Sequence, residues 1–151
     1  MERLIERLGN GPVALDTPLF IYFIEEHPKF FPILRNLFSA IDAQKLPACT
    51  SALTLLEILV LPLRYGRVDI ADRYDRILSY GRGLSLCNIE ASVLREAARL
   101  RAVYQVKTPD AIQIGSALVN RCRYFVTNDR RLPQIHDIDI LQLEDFLESA
   151  A

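Results

Sequence analysis

The 151-residue chain has few of the residues that build covalent or zinc-held frameworks, with three cysteines and two histidines. Cys49, Cys87 and Cys122 are far apart, odd in number and in no CxxC pair, which leaves no basis for a disulfide scaffold or a zinc site. They read as free thiols in a reducing cytosol. The net charge of −1 gives no global attraction to nucleic acid or to an anionic membrane, so any polyanion has to be held by a local cluster. Long hydrophobic runs are missing as well. The most apolar stretch, LLEILVLPL, is interrupted by Glu57 and Pro62 and is too short to cross a bilayer. The start, MERLIERLGNG, alternates charged and apolar residues and lacks the continuous apolar segment of a signal peptide. No GxxxxGKS/T or GxGxxG loop argues for a bound nucleotide, and no repeat or low-complexity segment is visible. The expectation is a cytoplasmic protein with no membrane association.

What is present suits one domain over residues 1–151. Half of the residues are hydrophobic and a quarter charged, enough for a core that buries roughly 70% of the unfolded chain's surface. PVALD reads as a short strand, followed by a helix in TPLFIYFIEE, where Pro18 suits an opening turn. A second helix lies in HPKFFPILRNLFSAIDAQK, with Ile33, Leu37, Phe38 and Ile41 at helical spacing. LPACT is the next strand, and Ser51 is placed to cap ALTLLEILVLPL, which Pro62 ends or kinks. A third amphipathic helix buries Ile70, Tyr74, Ile77 and Leu78, LSLCNI reads as a strand, and EASVLREAARLRAVY is helical with Val93, Leu94, Ala97, Ala98 and Leu100 inward. Thr108 as cap and Pro109 at the first helical position open a helix to about Val119. The strands YFVT and IDIL and a closing helix, LEDFLES, follow. Strands separated by helices predict an α/β fold, a mostly parallel sheet covered on both faces.

That alternation brings acids together. A helix of about 12 residues descends ~18 Å and a strand of about 5 climbs back ~17 Å, which returns Asp129 to the level of Asp110. Asp16 also ends a strand, and in a parallel sheet the strand C-termini share one edge, where sites are built. Glu57 lies about two turns into the helix after LPACT and leans toward that edge. Each acid also has a structural reading: Asp16 as an N-cap, Asp110 as a first-turn acid favoured by the helix dipole, and Asp129 as a turn residue. Glu57 interrupts an otherwise apolar run, where a carboxylate needs either a cation or an ion-pair partner such as Arg64. Gathered acids repel unless a cation compensates them, and oxygen-only ligands select Mg²⁺ or Mn²⁺. His27 and His136 fit no zinc pattern and read as surface loop residues. The chemistry this implies is metal-assisted phosphodiester hydrolysis.

ALDTPLFIYFIE, SALTLLEIL, KTPDAIQIGSAL and FVTNDRRL, taken together in this order, resemble the four acidic motifs of PIN-domain nucleases, VapC-type toxins in particular. The resemblance runs from about Val13 to Leu147. It implies that Asp16, Glu57, Asp110 and Asp129 hold Mg²⁺ or Mn²⁺ and position the attacking water, with Thr127 and Asn128 supporting them by hydrogen bonds. It also implies a three-layer α/β/α sandwich with a five-stranded parallel sheet, single-stranded RNA as substrate, homodimerisation and a cognate antitoxin. Pro109 directly before Asp110 and the mid-helix Gly115 depart from the pattern, and Gly115 reads as a close-packing position.

Several roles stay open at this level. Thr17 and Thr54 stand beside the acids, to contact a phosphate or a bound water, or simply to pack. Arg130 and Arg131 directly follow Asp129 and are the best-placed arginines for a substrate phosphate. Arg73 and Arg76 serve equally well as helix-surface ion pairs. Tyr65, Tyr74 and Tyr80 stack bases or pack, and Phe30 and Phe31 belong to a partner surface or to the core. A phosphatase or response-regulator domain also places an acid after its first strand, but LDTPL lacks the second acid that either requires. The remaining alternative is a PIN-like domain kept as an inactive RNA- or protein-binding module.

Overall fold

Val13 and Leu15 turn to one side of the first strand and Ala14 to the other, and all three are buried; Tyr124 and Val126 are opposed to Phe125 in the same way. This period of two with both faces covered is what a central strand of a parallel sheet requires. The computed structural model describes residues 2–147. Its chain order is α1 (Leu4–Leu8), β1 (Val13–Leu15), α2 (Thr17–Ile24), α3 (Phe31–Asp42), β2 (Ala48–Ser51), α4 (Leu53–Arg64), α5 (Val68–Tyr80), β3 (Leu84–Cys87), α6 (Ala91–Tyr104), α7 (Thr108–Val119), β4 (Tyr124–Thr127) and β5 (Asp139–Gln142), closed by a 3₁₀ turn at Leu143–Phe146.

The five strands are all parallel and stand in the order β3-β2-β1-β4-β5. α1 to α5 cover one face through Leu8, Leu19, Phe20, Leu34, Leu37, Ile58 and Leu78. α6 and α7 cover the other through Ala97, Leu100, Ala111, Ile114 and Ala117. The result is the expected three-layer α/β/α sandwich. Each fully buried Leu or Phe contributes about 1.5–3 kcal/mol of transfer free energy. The cysteines are free and buried among the α6 and α7 contacts, with Cys49 and Cys122 sulfurs 3.4 Å apart.

The structure corrects several local expectations. A five-residue helix, α1, buries Leu4 and Leu8 within MERLIERL; so short a helix carries one i, i+4 pair and no periodic pattern. Lys107, not Thr108, is the N-cap of α7, and Pro109 sits one place further in. Ser51 accepts the Leu53 N–H at 3.1 Å, one residue outside the geometric cap at Ala52. Pro62 lies inside α4, which runs two residues beyond it to Arg64. Leu94 and Ala98 are exposed, while Val93, Ala97 and Leu100 form the buried stripe of α6. Phe30 and Tyr74 are core residues, and Phe31 stacks on Phe23. The expected closing helix is a 3₁₀ turn at Leu143–Phe146, and Glu148 and Ser149 lie outside the described residues.

Candidate active site

From β1 the chain moves outward through β2 and β3, then returns to build β4 and β5 on the other flank. The reversal leaves a crevice at the C-terminal ends of β1 and β4, the usual place for a site in such a sheet. Asp16 follows β1 directly and is the N-cap of α2, with Oδ1 accepting the Thr17 N–H at 2.9 Å. Its structural and chemical readings therefore coexist. Thr127 ends β4 and donates its hydroxyl to Asp16 Oδ2 at 2.7 Å. Asp129 follows two residues later, Asp110 lies in the first turn of α7, and Glu57 is the fifth residue of α4.

Asp16 is 7% exposed, and burial pushes its carboxyl up to about 6. The Thr127 and Thr17 hydrogen bonds oppose that rise, while the charges of Asp110 and Glu57 add to it. Asp110 is raised too, first by burial and then by Asp129 and Glu57. Asp129 is lowered, because Arg131 grips both of its oxygens at 2.9 and 3.0 Å. Asp110 thus stands within electrostatic reach of the other three acids, and Asp16 within reach of Glu57, around one crevice. They ring it without converging: among the described residues no three His, Cys, Asp or Glu side chains are gathered closely enough to hold an ion. Their oxygen-only donor set suits a hard divalent cation, and such a cation would offset both the burial of Asp16 and Asp110 and the repulsion that adds to it.

A sequence model of the PIN domain matches residues 13–138, a span that contains all four acids. The chain belongs to the PIN domain family. Among solved structures, this PIN domain is similar to a toxin–antitoxin complex from Klebsiella pneumoniae, with a TM-score of 0.59 and 22% identity over 78% of this chain and 86% of that one. It is also similar to VapBC2 from Rickettsia felis bound to a DNA fragment from their promoter, with a TM-score of 0.65 and 17% identity over 86% of this chain and 97% of that one. No curated protein matches it significantly in sequence.

The half-buried Glu57 of this PIN domain is held by neutral donors. Its Oε1 accepts the Thr17 hydroxyl at 2.8 Å and the Gln113 amide at 3.1 Å, and no ion pair joins it to Arg64 among the described residues. Gln113 also donates to Thr54 at 2.9 Å, and Thr54 meets the Thr50 hydroxyl at 2.7 Å. This network fixes Thr17 and Thr54, the two threonines whose role the sequence leaves open, beneath the acids. Gln113 escapes sequence reasoning. Its one signal is an amide three residues after Asp110 in a run that otherwise reads AIxIGSA, and an amide there needs buried partners.

The flanking residues are disposed as follows. Asn128 donates to the Tyr22 hydroxyl at 3.5 Å, and Thr127 accepts the Asp129 N–H at 3.1 Å. Arg130 turns away from the crevice to Asp145 at 2.6 Å and Glu144 at 3.8 Å. Arg131 stays at the crevice, closed over Asp129. Tyr65 and Tyr80 stand exposed on and beside the α4–α5 hairpin, while Tyr74 donates to Glu25 at 3.1 Å.

Proposed function

We propose that this PIN domain is a Mg²⁺- or Mn²⁺-dependent endoribonuclease that hydrolyses phosphodiester bonds of single-stranded RNA, acting as the VapC-type toxin of a toxin–antitoxin pair. The observation that carries the reading is the buried Asp16, whose carboxyl burial raises to about 6 while it faces the further acids Asp110 and Glu57. Leaving such a cluster uncompensated costs stability, and a divalent cation is the natural compensation.

In this reading Asp16, Glu57, Asp110 and Asp129 hold the cation, with the orientation of Glu57 set by Thr17 and Gln113. Bound Mg²⁺ or Mn²⁺ supplies charge neutralisation at the phosphate and a lowered pKa for water. Thr127 keeps Asp16 aimed by its hydroxyl and ties the Asp129 backbone to the same point. Asp129 has to exchange Arg131 for the cation, which frees that guanidinium for a phosphate oxygen.

The toxin assignment is supported by likeness to two toxin–antitoxin complexes. An antitoxin or a second copy of the chain is further supported by Leu56, Val60, Leu61 and Leu63, which leave α4 with an apolar surface 40–61% exposed. No helix among the described residues is long and apolar enough to cross a membrane.

The deciding experiment is cleavage of a mixed set of structured and single-stranded RNAs with Mn²⁺ or Mg²⁺, with EDTA, and with Asp110→Asn as contamination control. Cleavage that requires both metal and Asp110 is the expected result. Absence of cleavage together with absence of any metal response would favour an inactive binding module.

A further inference from the structure

A cavity of about 260 Å³ opens beside the acids, with Asp110 and Asp129 forming one side. Its remaining walls come from the end of α6 and the loop to α7, through Tyr104, Val106 and Lys107, and from the segment after β4, through Arg131, Leu132 and Pro133. These walls are fixed. The Tyr104 hydroxyl accepts the His136 N–H at 3.2 Å, the Val106 carbonyl accepts Arg101 Nε at 3.2 Å, and Gln105 closes α6 in the left-handed conformation at φ +59°.

Two cations border the cavity, and they differ. Arg131 is occupied by Asp129, whereas Lys107 is exposed at the N-cap of α7 and joins no ion pair among the described residues. Lys107 nevertheless acts on both Asp110 and Asp129, lowering each. The cavity therefore offers one uncommitted positive charge, an aromatic and apolar wall, and direct continuity with the carboxylates. An acidic peptide would meet Asp110 and Asp129 with its own like charges along its length. A nucleotide presents both an anion, for Lys107, and a flat apolar face, for Tyr104, Leu132 and Pro133, and the lining holds both kinds of group.

We propose that this cavity seats the nucleotide adjoining the scissile phosphate of single-stranded RNA, with Lys107 on its phosphate and Tyr104, Leu132 and Pro133 receiving its base. The assignment rests on the ribonuclease reading and adds a subsite to it. Lys107 is a substrate-binding residue in this scheme, and Tyr104 sets base preference.

The test is fluorescence anisotropy with labelled single-stranded RNA 12-mers, a mixed sequence and four homopolymers, titrated with salt. It is run in EDTA, and in Mn²⁺ on the Asp110→Asn background. Lys107→Gln and Tyr104→Ala are compared with Arg82→Gln, which makes the same charge change before β3, at the opposite edge of the sheet; thermal melts verify that each variant is folded. Lys107→Gln is expected to weaken binding and to flatten the slope of log K against log salt by about 0.7, the signature of one lost phosphate contact on a single strand. Tyr104→Ala is expected to level the differences between homopolymers, and Arg82→Gln to leave affinity and slope unchanged. Equal affinity and slope for Lys107→Gln and the parent would overturn the subsite while leaving the RNA reading standing. No RNA binding by the parent in EDTA or by Asp110→Asn in Mn²⁺ would overturn the ribonuclease reading and the subsite with it.

Discussion

Thr127 and Asp16 join the ends of the two central strands: the Thr127 hydroxyl donates to Asp16 Oδ2 at 2.7 Å and accepts the Asp129 N–H at 3.1 Å. One hydroxyl thereby sets the position of two acids that are 113 residues apart in sequence, from 16 to 129. Removing it leaves a partly buried N–H without an acceptor and the buried Asp16 carboxylate short of a donor.

Thr127→Val is therefore expected to cost about 1–3 kcal/mol of stability, the penalty for leaving buried polar groups unsatisfied. It should also raise the Asp16 pKa further, because the bond it deletes is the largest of the influences that lower it. Urea denaturation and a carboxyl-carbon NMR titration check the two parts separately. Thr127→Ser keeps the hydroxyl and should restore the pKa; if it titrates like Thr127→Val, the hydrogen bond is not what holds Asp16.

Asp16 makes stability depend on pH with an unusual sign. Its folded pKa lies above its unfolded one, so between about pH 4 and 6 the native state holds the extra proton. Stability consequently falls as pH rises through that window and stays lower above it. A shift of about two units corresponds to at most ~3 kcal/mol. In EDTA at pH 7, Asp16→Asn should abolish cleavage on restoring metal yet unfold at higher urea than the parent, by about 1–3 kcal/mol. The parent's loss of stability from pH 4 to 6 should flatten in the variant. A variant no more stable than the parent at pH 7 would show that Asp16 is not strained by its burial.

Arg131 and a cation compete for the same oxygens of Asp129. Mn²⁺ is expected to raise the melting temperature of the protein by mass action. Arg131→Gln should reach half of that response at lower Mn²⁺, since nothing then has to leave Asp129. Asp16→Asn/Glu57→Gln/Asp110→Asn/Asp129→Asn should lose the response altogether. If the quadruple variant is stabilised as much as the parent, Mn²⁺ acts elsewhere on the protein.

The parts of this architecture that were legible in the sequence are those governed by local rules. The strand VAL followed by Asp16 and Pro18, and the segment from Pro109 to Asp129, announce both central strands, and the up-and-back length argument brings Asp110 to the level of Asp129. The less legible parts depend on tertiary partners. Glu57 reads as needing a cation or Arg64; among the described residues Arg64 does not pair with it, and its Oε1 is instead held by Thr17 and Gln113, from helices 40 residues before it and 56 after it. Arg130 and Arg131 look equivalent beside Asp129, yet Arg130 is drawn off by Asp145 from the closing 3₁₀ turn. Lys107 carries no signal of its own in the sequence, and only the fold sets it in one cavity with Leu132 and Pro133.

Gly115 sets how close α7 approaches α6, and so where Asp110 and Lys107 stand. A Cβ there would lie 3.1 Å from the Val93 carbonyl oxygen and 3.3 Å from the Ala97 nitrogen. Both obstacles are backbone atoms of α6, so relief requires the helices to part and no side chain can simply rotate away. Alanine brings up to about 1 kcal/mol of helix propensity, against an overpacking cost of roughly 1–3 kcal/mol. Gly115→Ala is therefore expected to be destabilised by about 1 kcal/mol in urea denaturation, and Gly115→Val by clearly more. The displacement of α7 should also weaken the Mn²⁺ response, since Asp110 moves while Asp16 and Asp129 stay with the sheet. A Gly115→Ala protein more stable than the parent would show that α6 and α7 separate freely, and that their contact does not fix the position of Asp110.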